Sequence, residues 1–132
     1  MAKYIYPAVF AKDGAVYTVR FPDLESCYTQ GDDLQDAYDM ASDVLCLTLY
    51  NLEESGTAIP AASNVNSVPH ATDEFVSIVA CDTLEYRKLY DNRAVKKTLT
   101  IPAWLNTMSE RAGLNFSAIL QNALKQELKI SD

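Results

Sequence analysis

The sequence predicts an α+β protein made of a small β-β-β-α-β region followed by a strand-helix-helix region. Three observations carry this prediction. Apolar segments with the period of strands occupy the first part of the chain and recur near residue 75. A helical stripe lies between them, from residue 32 to residue 56. Near residue 102 a short strand pattern gives way to two helical patterns, which is typical of a separate C-terminal unit.

Three strands are expected at the start of the chain. Tyr4 to Phe10 is rich in aromatic and β-branched residues, and Pro7 within it favours an edge position or a bulge. Ala15 to Phe21 alternates as a second strand after a Lys-Asp-Gly turn, so the two strands should form a hairpin. A loop beginning with Pro22 then leads to a short third strand from Cys27 to Gln30.

One long helix should follow the strands and stop at Gly56. Asp32 and Gln35 resemble a capping box, with Asp in the place of Ser or Thr. The predicted buried stripe is Leu34, Ala37, Tyr38, Ala41, Leu45, Leu49 and Leu52. The acidic face is Asp33, Asp36, Asp39 and Asp43. Each of these carboxylates alone fits a solvated face, whereas together they suit a basic partner.

The segment 57–73 has no hydrophobic period and is rich in Ala, Ser, Asn and Pro, so we expect an extended connection. It should pack partly through Ile59, Val65 and Val68. Phe75 to Ala80 is almost wholly apolar, which predicts a central fourth strand. A short helix capped by Asp82 should then link two domains. The predicted boundaries are residues 1–82 for the N-terminal domain, 83–94 for the helical linker and 95–132 for the C-terminal domain.

The C-terminal domain begins with a strand pattern from Val95 to Ile101, in which Lys97 interrupts an otherwise apolar face. Pro102 ends the strand and suits the first turn of a helix. That helix should end before Gly113, and Asn115 should cap the next one. The apolar stripes of the two helices are Leu105, Met108 and Ala112, then Ile119, Leu120, Ala123, Leu124 and Leu128.

One strand and two short helices bury too little apolar surface to fold alone. A two-fold dimer solves this problem, because two strands pair into an antiparallel ribbon over four helices. The outer face of the ribbon would then carry Lys96, Thr98 and Thr100 from both chains. Such groups on a ribbon can contact base edges and phosphates in the DNA major groove. Dimerisation without DNA is the alternative interpretation of the same pattern.

Charge is divided unevenly along the chain. The net charge of the whole chain is −7, which by itself argues against a nucleic-acid binder. Residues 1–92 carry five Lys or Arg against fifteen Asp or Glu, whereas residues 93–132 carry six against three. The acidic part suits a basic protein and the basic part suits DNA. Solubility alone is the simpler explanation of the net charge.

Two further features bear on where the protein works. No stretch is apolar and long enough to span a membrane, and the start enters a strand pattern without a signal peptide. Cys27, Cys46 and Cys81 are an odd number with no short metal-binding spacing. We therefore expect reduced, partly buried thiols in a cytoplasmic protein.

The C-terminal domain resembles a ribbon-helix-helix DNA-binding domain. The resemblance rests on Lys-Thr-Leu-Thr-Ile-Pro at 97–102 and on Gly113-x-Asn115-x-Ser117 between the helices. In that family the ribbon contacts bases, and the N-terminus of the second helix holds a backbone phosphate. Free amides and the helix dipole favour an anion there. The resemblance implies these DNA-binding residues: Lys96, Thr98, Thr100, Asn115 and Ser117.

The N-terminal domain resembles HicB-type antitoxins. The resemblance rests on Tyr-Ile-Tyr-Pro-Ala-Val-Phe at 4–10, Tyr-Thr-Val-Arg-Phe-Pro-Asp-Leu at 17–24 and Cys-Tyr-Thr-Gln-Gly-Asp at 27–32. With the C-terminal domain, the similarity covers nearly the whole chain. The family implies a truncated RNase H-like sheet that binds and masks a small basic HicA-type toxin, an RNA-cleaving protein. It also implies that the C-terminal domain represses the operon of both proteins as a homodimer, and two separate two-fold contacts would allow a homotetramer.

Candidate toxin-binding residues follow from loops and charge. They are the Phe21, Pro22, Asp23 and Leu24 loop and the helix start at Asp32 and Asp33. Core packing is the alternative role of Phe21 and Leu24. Turn and cap chemistry is the alternative role of Pro22, Asp23 and Asp32. Opposite charge would mainly speed the encounter with the toxin.

Catalysis by this chain is not expected. RNase H chemistry needs several carboxylates around two metal ions, yet no acidic residue lies within the first three predicted strands. His70, the single histidine, lies in a polar loop without an orienting partner, and no Gly-rich phosphate loop occurs. We therefore expect no metal and no cofactor. Two other hypotheses stay open, a repressor whose acidic domain senses a small ligand and a degenerate nuclease with residual metal-dependent activity.

Overall fold

The computed structural model describes residues 2–130. The chain divides into a first unit that ends at Arg93 and a second unit that begins at Ala94. The described elements are four strands, a single 3-10 turn at Val65–Ser67 and four α-helices. The predicted α+β class is confirmed at this level.

The first unit is built on a four-stranded antiparallel sheet of order β3-β2-β1-β4. Its strands are β1 (Lys3–Asp13), β2 (Val16–Arg20), β3 (Tyr28–Gly31) and β4 (Glu74–Asp82). The predicted hairpin is present, because Asp13 pairs with Val16 across a two-residue turn. Gly14 begins that turn with φ of 64°, which glycine adopts without steric cost.

Two predictions about strand position are wrong. β4 lies at an edge of the sheet, although its apolar sequence predicts a central strand, and β1 is central although Pro7 favours an edge. Pro7 is tolerated because β2 begins to pair only at Val9. Opposite Pro7, β1 pairs only with Ile78 of β4, so one side of the strand is free of any ladder.

Helix α1 (Leu34–Ser55) covers one face of the sheet. Its N-cap is Asp33, one residue after the predicted cap at Asp32. The Asp33 side chain accepts a hydrogen bond from the Asp36 amide at 2.8 Å, and the Asp36 side chain accepts one from the Asp32 amide at 2.8 Å. Asp36, rather than Gln35, therefore closes the reciprocal pair. Gly56 ends the helix in the left-handed conformation, as predicted.

The core lies between α1 and the sheet. Gly31 permits this packing, because a Cβ there would lie 2.2 Å from the Ala37 amide nitrogen. The prediction of burial was wrong for Leu34 and Tyr38, which are 48% and 40% exposed in the N-terminal part of α1. The buried cluster is Tyr6, Ala8, Phe10, Val19, Phe21, Leu24, Cys27, Ala37, Ala41, Leu45, Leu49, Val79 and Cys81.

Two cysteines form a disulfide that the sequence did not indicate. Cys46 of α1 and Cys81 of β4 are bonded, with their Cα atoms 5.5 Å apart. The prediction of three thiols is therefore wrong for this pair, since their contact depends on how α1 crosses β4. Cys27 is a free, buried cysteine, and burial raises the pKa of its thiol.

Helix α2 (Thr83–Tyr90) belongs to the first unit. Asp82 caps it as predicted, accepting hydrogen bonds from the amides of Leu84 and Glu85. The helix packs against α1 through the rings of Tyr50 and Tyr86, whose centroids are 5.5 Å apart. The segment predicted as a linker thus contributes a packed helix.

The second unit contains α3 (Ala103–Arg111) and α4 (Phe116–Glu127). The Asn115 side chain caps α4 by accepting a hydrogen bond from the Ala118 amide at 3.0 Å. Gly113 lies between the helices with φ of 67°, as a helix stop requires. Residues 94–102 form no strand in the single chain. A ladder needs a second strand, so the predicted Val95–Ile101 strand has no partner here.

Candidate functional site

The second unit contains an apolar groove of about 500 Å³ beside the segment before α3. Lys97, Leu99 and Ile101 line it from that segment. Phe116 and Ile119 line it from α4, with Ser117, Leu120, Ala123 and Asn106 completing the wall. We call this surface the tail groove. The alkyl stem of a lysine can cover apolar surface while its ammonium group reaches water, which accounts for Lys97 on the apolar side.

The candidate DNA-contacting residues lie in the same segment with the opposite parity. Lys96, Thr98 and Thr100 alternate with the three residues that line the tail groove. All three are exposed. In extended chain, successive side chains point to opposite sides, so these three face away from the groove. The alternation in the sequence therefore corresponds to two distinct surfaces.

Asn115 and Ser117 occupy the first turn of α4. The side chain of Asn115 is engaged with the Ala118 amide, so its carboxamide is a cap rather than a free ligand. The amides at the start of a helix have no acceptor within the helix. Ser117 is exposed and also lines the tail groove. An anion at this turn would meet backbone amides before either side chain.

No side chain between residues 94 and 130 is buried in the single chain. Large apolar side chains are instead open to solvent, including Trp104 at 65%, Met108 at 63% and Leu128 at 68%. A unit with so little internal core does not fold stably alone. The exposed apolar surface of the second unit therefore requires a partner.

The predicted toxin-contact loop is largely part of the first unit's own structure. Phe21 and Leu24 are 2% and 5% exposed and pack in the core. Asp23 accepts a hydrogen bond from the Ser63 amide at 2.8 Å and another from the Ser63 hydroxyl, which ties down the connection after α1. Of the loop residues, Pro22 is the exposed one. Core packing and turn chemistry account for the other three.

Asp32 and Asp33 are exposed at the start of α1. Asp33 serves as the N-cap, and the Asp32 amide donates to Asp36. Both carboxylates remain accessible at the surface. Asp32 and Asp33 thus lie on the same surface as the acidic side of α1. Phe21 and Leu24 are buried and do not reach that surface.

A second surface of the first unit was not predicted from the sequence. A shallow groove of about 360 Å³ runs between α1, α2 and β3. We call it the acidic groove, and its lining is Thr29, Met40, Asp43, Val44, Leu47, Tyr86 and Tyr90. Met40, Leu47 and Tyr90 are 41%, 46% and 70% exposed. The helical period of α1 could have revealed it, since Met40, Asp43 and Leu47 recur at intervals of three and four.

Aromatic contacts hold the wall of the acidic groove in place. The rings of Tyr86 and Tyr90 lie 4.7 Å apart, and the Arg87 guanidinium lies 4.6 Å from the ring centroid of Tyr50. Burial, followed by the nearby Tyr90 and Asp43, raises the pKa of Tyr86. The groove therefore combines fixed aromatic rings with a carboxylate at their edge.

A buried charge network fixes α2 to the rest of the first unit. Arg87 donates to Glu53 at 3.1 Å, and Thr83 and Tyr4 donate their hydroxyl hydrogens to the same carboxylate at 2.8 Å and 2.9 Å. Burial favours the neutral acid, but hydrogen bonds, including those from Thr83, Tyr4 and Arg87, outweigh it and lower the pKa of Glu53 to about 2. Glu53 therefore stays ionised at neutral pH.

Neither a metal centre nor a membrane span is evident in residues 2–130. No group of three or more His, Cys, Asp or Glu side chains in that range is arranged to hold a metal ion. None of its helices is long and apolar enough to cross a membrane. His70 is exposed, and its Nδ1 lies 3.1 Å from the Val68 carbonyl oxygen.

Similar folds occur among proteins of toxin–antitoxin systems. A chain of a toxin–antitoxin complex from Streptococcus pneumoniae is 34% identical, with 95% of this chain and 99% of that chain covered and a TM-score of 0.61. Antitoxin HicB3 is 22% identical, with 98% and 100% covered and a TM-score of 0.52. Antitoxin HicB of Burkholderia pseudomallei is 21% identical, with 97% and 99% covered and a TM-score of 0.51. A comparison with curated protein sequences finds no significant match.

The chain is thus a two-unit α+β protein whose fold is similar to that of a chain in a toxin–antitoxin complex. A family model described as HicB-like antitoxin of bacterial toxin–antitoxin system matches residues 6–121. The chain belongs to this HicB-like antitoxin family.

Proposed function

We propose that this antitoxin neutralises a HicA-type, mRNA-cleaving toxin by direct binding and represses its own operon. The family match carries the proposal, because residues 6–121 extend across both units. In this proposal the first unit is a truncated RNase H-like domain that binds the toxin. The second unit is a ribbon-helix-helix domain that dimerises and binds operator DNA. The chain acts as an inhibitor and repressor and not as an enzyme.

The toxin is proposed to bind at the acidic groove. The relative with 34% identity is part of a toxin–antitoxin complex, which supports a toxin as the partner. The groove offers exposed apolar side chains, Met40 and Leu47, beside the carboxylate of Asp43. Apolar anchors in a charged rim are typical of a protein interface. A basic toxin would meet opposite charge here, whereas Phe21 and Leu24 offer it no accessible side chain.

Operator binding is proposed for the surface that faces away from the tail groove. A second chain would cover the tail groove with its own strand and helices, which removes the exposed apolar surface from water. Lys96, Thr98 and Thr100 of both chains would then lie side by side on an antiparallel ribbon. The first turn of α4, near Asn115 and Ser117, would receive a backbone phosphate on its amides.

Because the proposed targets are operator DNA and a toxin that cleaves messenger RNA, we propose that the protein acts in the cytoplasm.

The test is a binding and inhibition assay with a purified HicA-type toxin. We expect a stoichiometric complex in which RNA cleavage by that protein stops. Leu47→Arg should weaken the complex about 100-fold, since a charge would replace a central apolar contact. Tyr28→Ala is the matched control, because Tyr28 is 70% exposed on β3 and lies outside the acidic groove. Specific DNA binding without any protein partner would instead favour the ligand-sensing repressor.

A further inference from the structure

Three tyrosines form a row of rings that runs from α1 to the last residue of α2. The centroids of Tyr50 and Tyr86 are 5.5 Å apart, and those of Tyr86 and Tyr90 are 4.7 Å apart with the rings inclined by 40°. Tyr90 is 70% exposed. We call these rings the tyrosine row. The face of each ring attracts a cation, because negative charge density lies above and below the ring plane.

One end of the tyrosine row already holds a cation. The guanidinium of Arg87 lies 4.6 Å from the ring centroid of Tyr50, and its nitrogens bond to the carboxylates of Glu53 and Glu54. This end of the row is therefore a complete guanidinium site, in which a ring and carboxylates act together.

The other end of the tyrosine row offers the same two groups inside the acidic groove. Tyr86 and Tyr90 line the groove from α2, and Asp43, which is exposed, lines it from α1. No basic residue is among the described residues that line the groove. Lys88, the last basic residue of α2, bonds to Glu85 at 3.2 Å. The acidic groove therefore presents a ring face and a carboxylate to a cation of another molecule.

The side chains around Asp43 indicate which cation fits. Met40 precedes Asp43 by three residues and Leu47 follows it by four, so all three lie on one face of α1. The alkyl stem of a long basic side chain can pack on Met40 and Leu47 while its charged end reaches the carboxylate. Arginine fits better than lysine, because a planar guanidinium stacks on a ring and donates two hydrogen bonds to one carboxylate.

We infer that the acidic groove binds an arginine side chain of the partner protein, with its guanidinium stacked on Tyr90 and bonded to Asp43. The inference rests on the proposed function, because it takes the toxin to be the protein that supplies this arginine. It goes further by naming the side chain that the groove selects and the two residues that select it. Residues 1–92 carry five Lys or Arg against fifteen Asp or Glu, which also attracts a cationic partner.

The first test measures the affinity of the full-length chain for a purified HicA-type toxin. Asp43→Asn and Tyr90→Leu should each weaken the complex about tenfold, since each removes one of the two groups that hold the guanidinium. Because both residues hold the same group, the double variant should be about 20-fold weaker, whereas independent contacts would give about 100-fold. Tyr90→Phe keeps the ring and should bind as tightly as the unaltered chain.

Two control variants make the same chemical changes outside the acidic groove. Asp73→Asn removes an exposed carboxylate just before β4. Tyr28→Leu removes a ring of β3 that is also 70% exposed. Both should change the affinity by less than about twofold at roughly 0.15 M salt, where exposed charges more than about 8 Å apart are largely screened.

A direct probe tests the groove without a toxin. N-acetyl-L-arginine amide, added to the isotope-labelled full-length chain at high millimolar concentration, should shift the amide NMR signals of Asp43, Leu47 and Tyr90 together. The Asp43→Asn chain should lose these shifts. N-acetyl-L-lysine amide should bind about threefold more weakly, because an ammonium group neither stacks on a ring nor bonds a carboxylate through two nitrogens.

The outcomes separate this inference from the proposed function. If the toxin binds but Asp43→Asn and Tyr90→Leu behave as their controls do, the arginine site is wrong while the antitoxin function stands. An arginine probe that shifts no signal of the acidic groove would also overturn the site. If the unaltered chain binds no toxin, the proposed function is contradicted, and the arginine probe still decides whether the groove holds a guanidinium.

Discussion

The guanidinium of Arg87 and the carboxylate of Glu53 meet at 3.1 Å between α2 and α1, with 11% and 9% of their side chains exposed. Arg87 also bonds to Glu54 and lies over Tyr50. Glu53 in turn accepts from Tyr4 and Thr83. The pair therefore joins β1, α1 and α2 at the point where the wall of the acidic groove begins.

Removal of Arg87 should destabilise the first unit. Arg87→Leu removes the guanidinium that bonds the shielded Glu53 carboxylate, so the free energy of unfolding should fall by about 3 kcal/mol. Urea denaturation followed by circular dichroism measures this change. Arg93→Leu is the control, because the Arg93 side chain is 78% exposed and its pair with Asp91 should contribute less than about 1 kcal/mol. Equal effects of the two substitutions would contradict the role given to the buried pair.

Acid should destabilise the first unit through Glu53. The pKa of Glu53 is lowered from 4.5 to about 2 in the folded state. A lowered folded-state pKa gives stability that is present above pH 4.5 and is lost as the pH falls toward 2, in total about 3 kcal/mol. Unfolding free energies at pH 7, 4.5 and 3 should show this loss. Glu53→Gln should be less stable at pH 7 but should lose less between pH 4.5 and 3, and an unchanged slope would count against Glu53.

Gly31→Ala should disrupt the contact between β3 and α1. A Cβ at Gly31 would lie 2.2 Å from the amide nitrogen and 2.5 Å from the Cα of Ala37, both backbone atoms that cannot rotate away. We expect a loss of more than about 3 kcal/mol, beyond the usual range for a point substitution. Gly14→Ala has open space around its Cβ and only the positive φ to overcome, so about 1–2 kcal/mol is expected. Thermal unfolding of both variants gives the comparison.

The outward face of the proposed ribbon, formed by Lys96, Thr98 and Thr100, should bind the operator with sequence preference. Thr98→Ala and Thr100→Ala should each reduce the preference for operator over random DNA by about 1–3 kcal/mol. Lys96→Ala should weaken binding to every sequence and flatten the dependence of affinity on salt by about one unit per lost phosphate contact. Lys12→Ala in the first unit is the control for net charge. Operator binding that survives the triple alanine variant at 96, 98 and 100 would remove the ribbon from the proposal.

Hydrophobic periodicity predicted the helices and strands themselves better than it predicted which of them lie next to each other in the fold. The hairpin, the Gly56 stop and the Asn115 cap depend on residues close in sequence, and each was predicted correctly. The edge position of β4 was not predicted, because an apolar sequence has the same pattern in a central strand and in an edge strand. The Cys46–Cys81 bond was also missed, since no short-range pattern reports a contact 35 residues apart.

The candidate sites show the same division. Alternation from Val95 to Ile101 separated the groove-lining residues from Lys96, Thr98 and Thr100, because the relevant geometry is local. The loop at Phe21 and Leu24 was chosen by charge and position, and burial, which depends on the whole fold, places both side chains inside. The acidic groove needed α1, α2 and β3 together, so sequence alone pointed only to its acidic side.

The absence of any buried side chain between residues 94 and 130 has a consequence for turnover of the protein. A segment that folds only when a partner chain binds depends for its stability on the concentration of that partner, so its stability falls with dilution. When few copies are present, unpaired second units offer open chain with apolar side chains to cellular proteases, which cut where backbone is exposed. Scarcity would then shorten the lifetime of the remaining copies, and abundance would protect them.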